Sequence, residues 1–185
     1  AVSVSYAAVE LAKKFFQNLA DHSVMLVGAG EMGKLAGRHL MNHGVTQVMV
    51  TTRNHQRAIE LAKQFKGTAI AIDRFKEEML HADIVICSTA SPHPLITAHD
   101  MTAIVRARQN RPLCIIDIAV PRDVEDAVRD IDDVYLFNID DLQQIVTVNL
   151  EERQKAAMTA ETIVQEEVVT MMGWMKTLET VPTIV

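Results

Sequence analysis

Residues 24–33, with the sequence VMLVGAGEMG, constrain the fold more than any other stretch of this 185-residue chain. Four apolar residues typical of a buried strand run into three glycines with G-x-G-x-x-G spacing, and a helical pattern follows. In that spacing Gly28 permits a sharp turn, Gly30 lets a diphosphate approach the backbone, and Gly33 lets strand and helix pack closely. The stretch predicts a dinucleotide phosphate on a helix N-terminus, with a ligand-free glycine turn as the alternative. The candidate phosphate-binding residues are Gly28, Ala29, Gly30, Glu31, Met32 and Gly33.

Five further apolar segments follow the first strand at intervals long enough for helices. The predicted strands are 24–27, 47–52, 68–72, 84–88, 113–118 and 134–138. Near-continuous apolar strands that alternate with helices are typical of βαβ units and of a parallel sheet covered on both faces. The pattern predicts an α/β, doubly wound, Rossmann-type domain. An amphipathic helix over 6–19, with Ser5 as its N-cap, precedes it.

The composition favours one acidic domain with an aliphatic core. Hydrophobic residues make up 49% of the chain and aromatic residues only 4%. The net charge of −6 gives no overall field that would attract a nucleic acid. Cys87 and Cys114 lie within apolar runs and are expected to be reduced core thiols. Because no apolar run could span a bilayer and no signal peptide is evident, we expect a cytoplasmic protein without membrane contact, and we predict no metal site.

The end of the second predicted strand selects the cofactor. An acidic residue about 20 positions beyond the glycines would bind the ribose 2′-hydroxyl of NAD. This chain instead has Thr52, Arg53 and Asn54 there, with Arg57 one helical turn further on. Because a guanidinium attracts a 2′-phosphate that a carboxylate would repel, the sequence predicts NADP(H). A solvated turn arginine is the alternative for Arg53, and Asn54 is expected to cap the next helix.

The nicotinamide half should meet the ends of the fourth and fifth strands, because ligands of open parallel sheets lie across the carboxyl ends of the strands. The fourth strand ends in Ser88, Thr89, Ala90 and Ser91, whose small hydroxyl side chains can hydrogen-bond a ribose or a carboxamide. After the fifth strand, Ala119 and Val120 are the candidate contacts. Asp117 has the alternative role of accepting local backbone N–H groups. His93 lies on a Pro-x-Pro loop and is not assigned a catalytic role.

Residues 140–178 contain no proline and no glycine before Gly173. If wholly helical, this segment would extend ~58 Å at 1.5 Å per residue, although Asn149 is a potential break. Apolar residues recur at a period near 3.5, and the stripe consists of Ala157, Ala160, Val164, Val168, Met171, Met175 and Leu178. Two interpretations stay open: the stripe contacts a second copy or a further domain, or it packs on the chain's own sheet.

Several segments together resemble one family, the glutamyl-tRNA reductases. They are SVSYAAVELA at 3–12, VGAGEMG at 27–33, STASP at 88–92, DIAVPRDV at 117–124, NLEERQKAA at 149–157 and ETIV at 161–164. The resemblance runs over nearly the whole chain, and the segment from Asp117 is more specific than the glycine motif. The family's usual Asn-Arg-Thr reads Thr52-Arg53-Asn54 here, so the arginine is kept and its flanking polar residues differ.

The resemblance implies an NADPH-dependent oxidoreductase of tetrapyrrole and haem biosynthesis that reduces the glutamyl ester of Glu-tRNA to glutamate-1-semialdehyde. It implies a linker helix at 1–21, an NADP(H)-binding domain at 22–139, and a spinal helix at 140–185 that leads to a dimerisation domain. The implied partners are glutamyl-tRNA, a second copy of the protein and the downstream aminomutase. In this piece, the second copy would be contacted through residues 150–178. In this family a cysteine of a separate N-terminal domain forms a thioester; neither cysteine here matches it, so the piece alone is expected to be inactive.

Two rival interpretations remain, one of them another reductase and the other a protein of a different class. An NADP-dependent reductase related to shikimate dehydrogenase would have the same nucleotide domain but needs a Lys and Asp pair in a second lobe. A non-catalytic nucleotide-sensing module would more often have an acidic residue where this chain has Arg53. Neither rival explains the segment from Asp117 to Asp123.

Overall fold

The structure is a computed structural model that describes residues 4–16 and 18–179, without the side chains of 149–153 and 176–179. The strands of this part are β1 (Ser23–Val27), β2 (Gln47–Thr51), β3 (Thr68–Ile70), β4 (Ile84–Cys87), β5 (Leu113–Asp117) and β6 (Val134–Asn138). The helices are α1 (Val4–Phe15), α2 (Glu31–Asn42), α3 (His55–Gln64), α4 (Phe75–Glu78), α5 (Ala98–Ala107) and α6 (Ile139–Glu179). Residues 1–3 and 180–185, assigned above to the first and last segments, lie outside the described residues.

The strands form one parallel sheet with the order β3-β2-β1-β4-β5-β6. This confirms the doubly wound, Rossmann-type fold. The strand order reverses between β1 and β4, where Val27 is paired with Thr51 on one side and with Cys87 on the other. Cys87 is paired in turn with Asp117. The carboxyl ends of β2, β1, β4 and β5 therefore lie at one edge of the sheet, where such folds bind ligands.

Alternate residues of each strand face two separate core layers. Val24 and Leu26 of β1 belong to the layer under α1, α2 and α3, whereas Met25 and Val27 belong to the layer under α4 and α5. This alternation explains why the strands are apolar on both faces. Cys114 lies in the first layer and Cys87 in the second, and both are free and buried, which confirms that they are core thiols.

Local hydrogen bonds fix several helix starts. Asn54 Oδ1 accepts the Arg57 N–H at 3.2 Å, which confirms the predicted cap of α3. Ser5 does not cap α1, because the helix already begins at Val4 and Ser5 is buried within it. Its hydroxyl instead donates to the carbonyl of Met32 at 3.1 Å. Ser5 thus ties α1 to the first turn of α2.

The last helix runs without interruption from Ile139 to Glu179, so the helix does not break at Asn149. Asn138 Oδ1 accepts the N–H groups of Asp140 and Asp141 at 2.9 and 3.1 Å, which caps its start. The chain divides into two compact units, residues 1–146 and 147–185. Within the second unit, every described side chain from 154 to 175 is exposed.

In the described part of the chain, no helix combines the length and apolar character that crossing a membrane requires.

The two leucines of α2 test how much of the stability comes from its buried face. Leu40 is 1% exposed within the first core layer, whereas Leu35 on the same helix is 40% exposed. We predict that Leu40→Ala lowers the free energy of unfolding by about 2–5 kcal/mol, because it leaves a cavity in the core. Leu35→Ala should lower it by less than about 1 kcal/mol. Urea denaturation measures both, and equal losses would contradict the assigned orientation of α2.

Candidate functional site

A cleft of about 480 Å³ lies at the carboxyl ends of β1, β2 and β4. Its volume is in the range of small-molecule sites. Its walls are formed by Gly28, Ala29, Gly30, Thr52, Arg53, Asn54, Arg57, Ile72, Ser88, Thr89, Ala90, Ser91 and Leu95. The structure therefore brings together the glycine turn, the end of the second strand and the end of the fourth strand, as the sequence analysis expected. Ile72 and Leu95 were missed, because nothing in their local pattern marks them as cleft residues.

The glycine turn is shaped by its contact with Ser88, the first residue after β4. Gly28 has a φ of +101°, and a Cβ on it would lie 2.7 Å from the Ser88 carbonyl oxygen. A Cβ on Gly30 would lie 2.8 Å from that oxygen, and one on Gly33 would overlap the Ser88 hydroxyl. Gly28 also donates its N–H to the Thr51 carbonyl at 2.8 Å. The three glycines thus let the β1–α2 turn and the β4 loop touch.

The start of α2 presents backbone donors beside this turn. Gly30 is the N-cap and has no side chain to accept a hydrogen bond from the first turn. Because the first N–H groups of a helix lack intrahelical partners and the dipole is positive there, this turn favours an anion. Glu31, Met32 and Gly33 form it. Glu31 is exposed and pairs with Lys34 at 2.6 Å, which lowers its pKa.

Four polar residues follow β2, and their side chains differ in the hydrogen bonds that they make. The Thr52 hydroxyl donates to the Asn54 carbonyl at 2.6 Å. The Arg57 guanidinium donates to the Ala29 carbonyl at 3.5 Å, which connects α3 to the glycine turn. Arg53 is exposed and makes no hydrogen bond or ion pair with any residue that the structure describes. Neither arginine is in an ion pair with a described residue, and Arg53 is the one of the two whose guanidinium makes no hydrogen bond.

The hydroxyls after β4 mostly serve their own loop. Thr89 Oγ donates to Asp123 Oδ1 at 2.5 Å and accepts the Ser91 N–H at 3.0 Å. Ser91 Oγ donates to the His93 carbonyl at 2.7 Å. The Ser88 hydroxyl makes no hydrogen bond within the described residues. The Ser88 hydroxyl can therefore still donate to a ligand, whereas the hydroxyls of Thr89 and Ser91 already donate to protein acceptors.

The residues after β5 form a buried turn. Asp117 is 1% exposed and accepts the N–H groups of Ala119, Asp123 and Val124 at 2.9–3.0 Å. This confirms its alternative role as an acceptor of local backbone donors. Ala119 is buried, Val120 is 73% exposed, and neither is among the residues that line the cleft. His93 is exposed, as expected for its loop.

Comparisons with known proteins give the family. A model described as Shikimate / quinate 5-dehydrogenase matches residues 10–145. The glutamyl-tRNA reductases of Trichlorobacter lovleyi and Solibacter usitatus are 51% and 50% identical over all 185 residues, which correspond to 43% and 44% of those proteins. The chain belongs to the glutamyl-tRNA reductase family, within the broader domain family of that model.

A solved structure of this family shares the architecture. The glutamyl-tRNA reductase from Methanopyrus kandleri superposes with a TM-score of 0.83 at 42% identity, over 96% of this chain and 45% of that one. The chain thus spans less than half the length of the relatives it matches. It corresponds to the NAD(P)-binding domain of the family, which agrees with the fold and the position of the cleft.

The carboxyl of Asp117 has a strongly shifted pKa. Burial raises its pKa from 3.8 to about 6, although the backbone donors of Ala119 and Val124 act in the opposite direction. Asp123, which is also fully buried, raises the Asp117 pKa further by charge repulsion. Because the folded state holds this proton more tightly than the unfolded chain, the contribution of Asp117 to stability decreases as pH rises from about 4 to about 6.

We predict that the Asp117 carboxyl titrates with a midpoint near pH 6, a pKa well above its ordinary 3.8, because burial disfavours its charged form. Carbon-13 chemical shifts of the aspartate carboxyls measure this directly. Asp100 is the internal control, because its hydrogen bond with Lys76 lowers its pKa to about 2 and keeps it ionised from pH 4 to 8. An Asp117 midpoint at or below pH 4 would overturn the assignment.

Proposed function

We propose that the cleft binds NADPH and that the chain is the cofactor-binding domain of a glutamyl-tRNA reductase. The proposed reaction is reduction of the glutamyl ester of Glu-tRNA to glutamate-1-semialdehyde, an early step toward tetrapyrroles and haem. The observation that carries the cofactor choice is Arg53, an unpaired guanidinium in the cleft wall where an NAD-binding domain has an acidic residue. When bound, NADPH supplies the hydride.

The proposed contacts divide the cleft into three parts. The adenosine 2′-phosphate is assigned to Arg53, with Thr52, Asn54 and Arg57 around it. The diphosphate is assigned to the glycine turn and the first turn of α2, residues 28–33. The nicotinamide half is assigned to residues 88–91 and to Ala119 and Val120. The residues fit the cofactor because Gly28 and Gly30 line the cleft beside the amino end of α2, and because two arginines without an ion pair, Arg53 and Arg57, stand at the β2 end.

Electrostatics favours a phosphorylated ribose at Arg53. An opposite charge at 4 Å contributes on the order of 4 kcal/mol at an effective dielectric constant near 20, and a carboxylate in the same place would oppose binding by as much. Hydrogen bonds between charged groups add roughly 1.5–3 kcal/mol after desolvation is taken into account. Arg53 is exposed, so salt will screen part of this attraction.

The chemical step belongs to parts of the full-length protein that this chain does not include. Cys87 and Cys114 are both buried in strands, and burial raises the pKa of Cys114 to about 12 and that of Cys87 well above its ordinary value. Neither is accessible to a substrate as a thiolate. We therefore propose that the chain binds cofactor without reducing Glu-tRNA. In that protein, the proposed segments are the linker at 1–21, which contains α1, the cofactor domain at 22–139, and the spinal segment at 140–185, which contains most of α6.

The exposed stripe of α6 is proposed to associate with a second copy through residues 150–178. Val164, Val168, Met171 and Met175 are 47–61% exposed, at a spacing typical of a helix seam. The side chain of Leu178, the last residue of the predicted stripe, lies outside the described residues. We also propose that the protein is cytoplasmic and that it binds the downstream aminomutase. Both proposals rest on the family resemblance alone.

We predict that Arg53→Ala weakens NADPH binding by about 10-fold or more and leaves NADH binding nearly unchanged, because only NADPH carries the 2′-phosphate. Isothermal titration calorimetry measures both cofactors on each variant. Arg106→Ala is the matched control, since Arg106 is an exposed arginine in the last turn of α5 and does not line the cleft. Equal losses for the two cofactors would rule out a 2′-phosphate contact.

A further inference from the structure

One buried carboxylate holds the start of the loop that forms the β4 wall of the cleft. Asp123 is fully buried. Its Oδ2 accepts the N–H of Thr89 at 2.9 Å, and its Oδ1 accepts the Thr89 hydroxyl at 2.5 Å. Both polar atoms of Thr89 that can donate are therefore bound to the same side chain.

The backbone of Asp123 holds the other end of the same loop. Its carbonyl accepts the N–H groups of Leu95 and Ile96 at 2.7 and 3.0 Å. Thr89 and Leu95 both line the cleft. Asp123 is itself fixed, because its N–H donates to Asp117 Oδ2 at 2.9 Å. The loop between β4 and α5 is thus attached at both ends to one residue, which lies outside the cleft wall.

The conformation of Thr89 follows from this attachment. With its hydroxyl bound to Asp123, its methyl carbon packs over the glycine turn, 2.9 Å from where a Cβ on Gly28 would lie. Without the carboxylate, the Thr89 N–H loses its acceptor and the hydroxyl is free to rotate. The cleft wall formed by residues 88–91 would then move at the point where it contacts the glycine turn.

The position of Thr89 specifies which half of the cofactor is affected. Thr89 follows β4, on the opposite side of β1 from β2 and Arg53. Dinucleotides lie across the switch point, with one nucleotide on each side. The adenosine half is assigned to the β2 side, so the β4 loop meets the nicotinamide half.

We propose that Asp123 is a positioning residue for the nicotinamide half of the bound dinucleotide, acting through Thr89. The inference rests on the proposed function of the cleft and deepens it. Asp123 touches no cofactor itself. Its role is to keep Thr89, and with it the wall formed by residues 88–91, in the geometry that accepts the nicotinamide ribose.

Asp123→Ala separates this role from a general loss of structure. It removes the two side-chain bonds to Thr89 and leaves the backbone bonds to Leu95, Ile96 and Asp117 in place. The probes are NADPH and adenosine 2′,5′-bisphosphate, which lacks the nicotinamide half. We expect the variant to bind NADPH about 10-fold more weakly, as expected for the loss of hydrogen bonds to a charged group, and the bisphosphate within about 2-fold of the original chain.

Asp100→Ala is the matched control. Asp100 Oδ2 accepts the N–H and the hydroxyl of Thr97 at 3.1 and 2.7 Å, the same pair of donors that Asp123 accepts from Thr89. Asp100 completes the capping box of α5, whose N-cap is Thr97, and does not line the cleft. This variant should lose thermal stability while binding both probes as the original chain does.

Thr89→Val provides a second arm if Asp123→Ala does not fold. Valine keeps the shape of threonine and removes the hydroxyl, which loses one of the two bonds to Asp123 and the acceptor of the Ser91 N–H. NADPH binding should weaken about 3-fold, with the bisphosphate unchanged. Equal effects on the two probes, or no effect on either, would overturn the role of Asp123 and leave the cofactor site standing. Failure of the original chain to bind either probe would instead refute the proposed function, and this inference with it.

Discussion

The close contact between Ser88 and the glycine turn is the constraint on which the rest of the structure depends. β1 and β4 are neighbours although three helices and two strands separate them in the chain. Their carboxyl ends can approach only if Gly28, Gly30 and Gly33 carry no side chain, because a Cβ on any of them would collide with Ser88. Ser88 occupies the space that those side chains would take. This contact therefore lies at the switch point between β1 and β4 and brings two walls of the cleft together.

A chain of buried hydrogen bonds extends this constraint across the sheet. Asp117, at the end of β5, accepts the N–H of Asp123, and Asp123 accepts from Thr89 next to the glycine turn. Two buried carboxylates are costly unless they are well hydrogen-bonded. Their backbone and hydroxyl partners offset that cost. The loops that follow β4 and β5 thus form a single unit, whereas Arg53, beyond the end of β2, is exposed and its side chain makes no hydrogen bond with a described residue.

The sequence predicted those features that depend on residues close together in the chain. The run VYLFN places β6 at its observed limits, and Asn54 caps α3 because a cap needs only a residue three positions away. Ser5 was misassigned because its partner, Met32, is 27 positions distant. Asp123 and Leu95 escaped notice for the same reason, since their roles exist only after the β4 and β5 loops meet. Local pattern could suggest that Thr89 offers a hydroxyl, but only the fold shows that this hydroxyl is already bonded to Asp123.

The central claim is that a dinucleotide diphosphate lies on the glycine turn and the amino end of α2. Amide spectra of the chain labelled with nitrogen-15 at its seven glycines test this most directly. Titration with NADPH should shift the amide signals of Gly28, Gly30 and Gly33, because they adjoin the bound phosphates. Gly44 and Gly67 precede β2 and β3, at the opposite edge of the sheet from the cleft, and should not shift. Unchanged signals from the first three at saturation, or equal shifts from Gly44 and Gly67, would contradict the account.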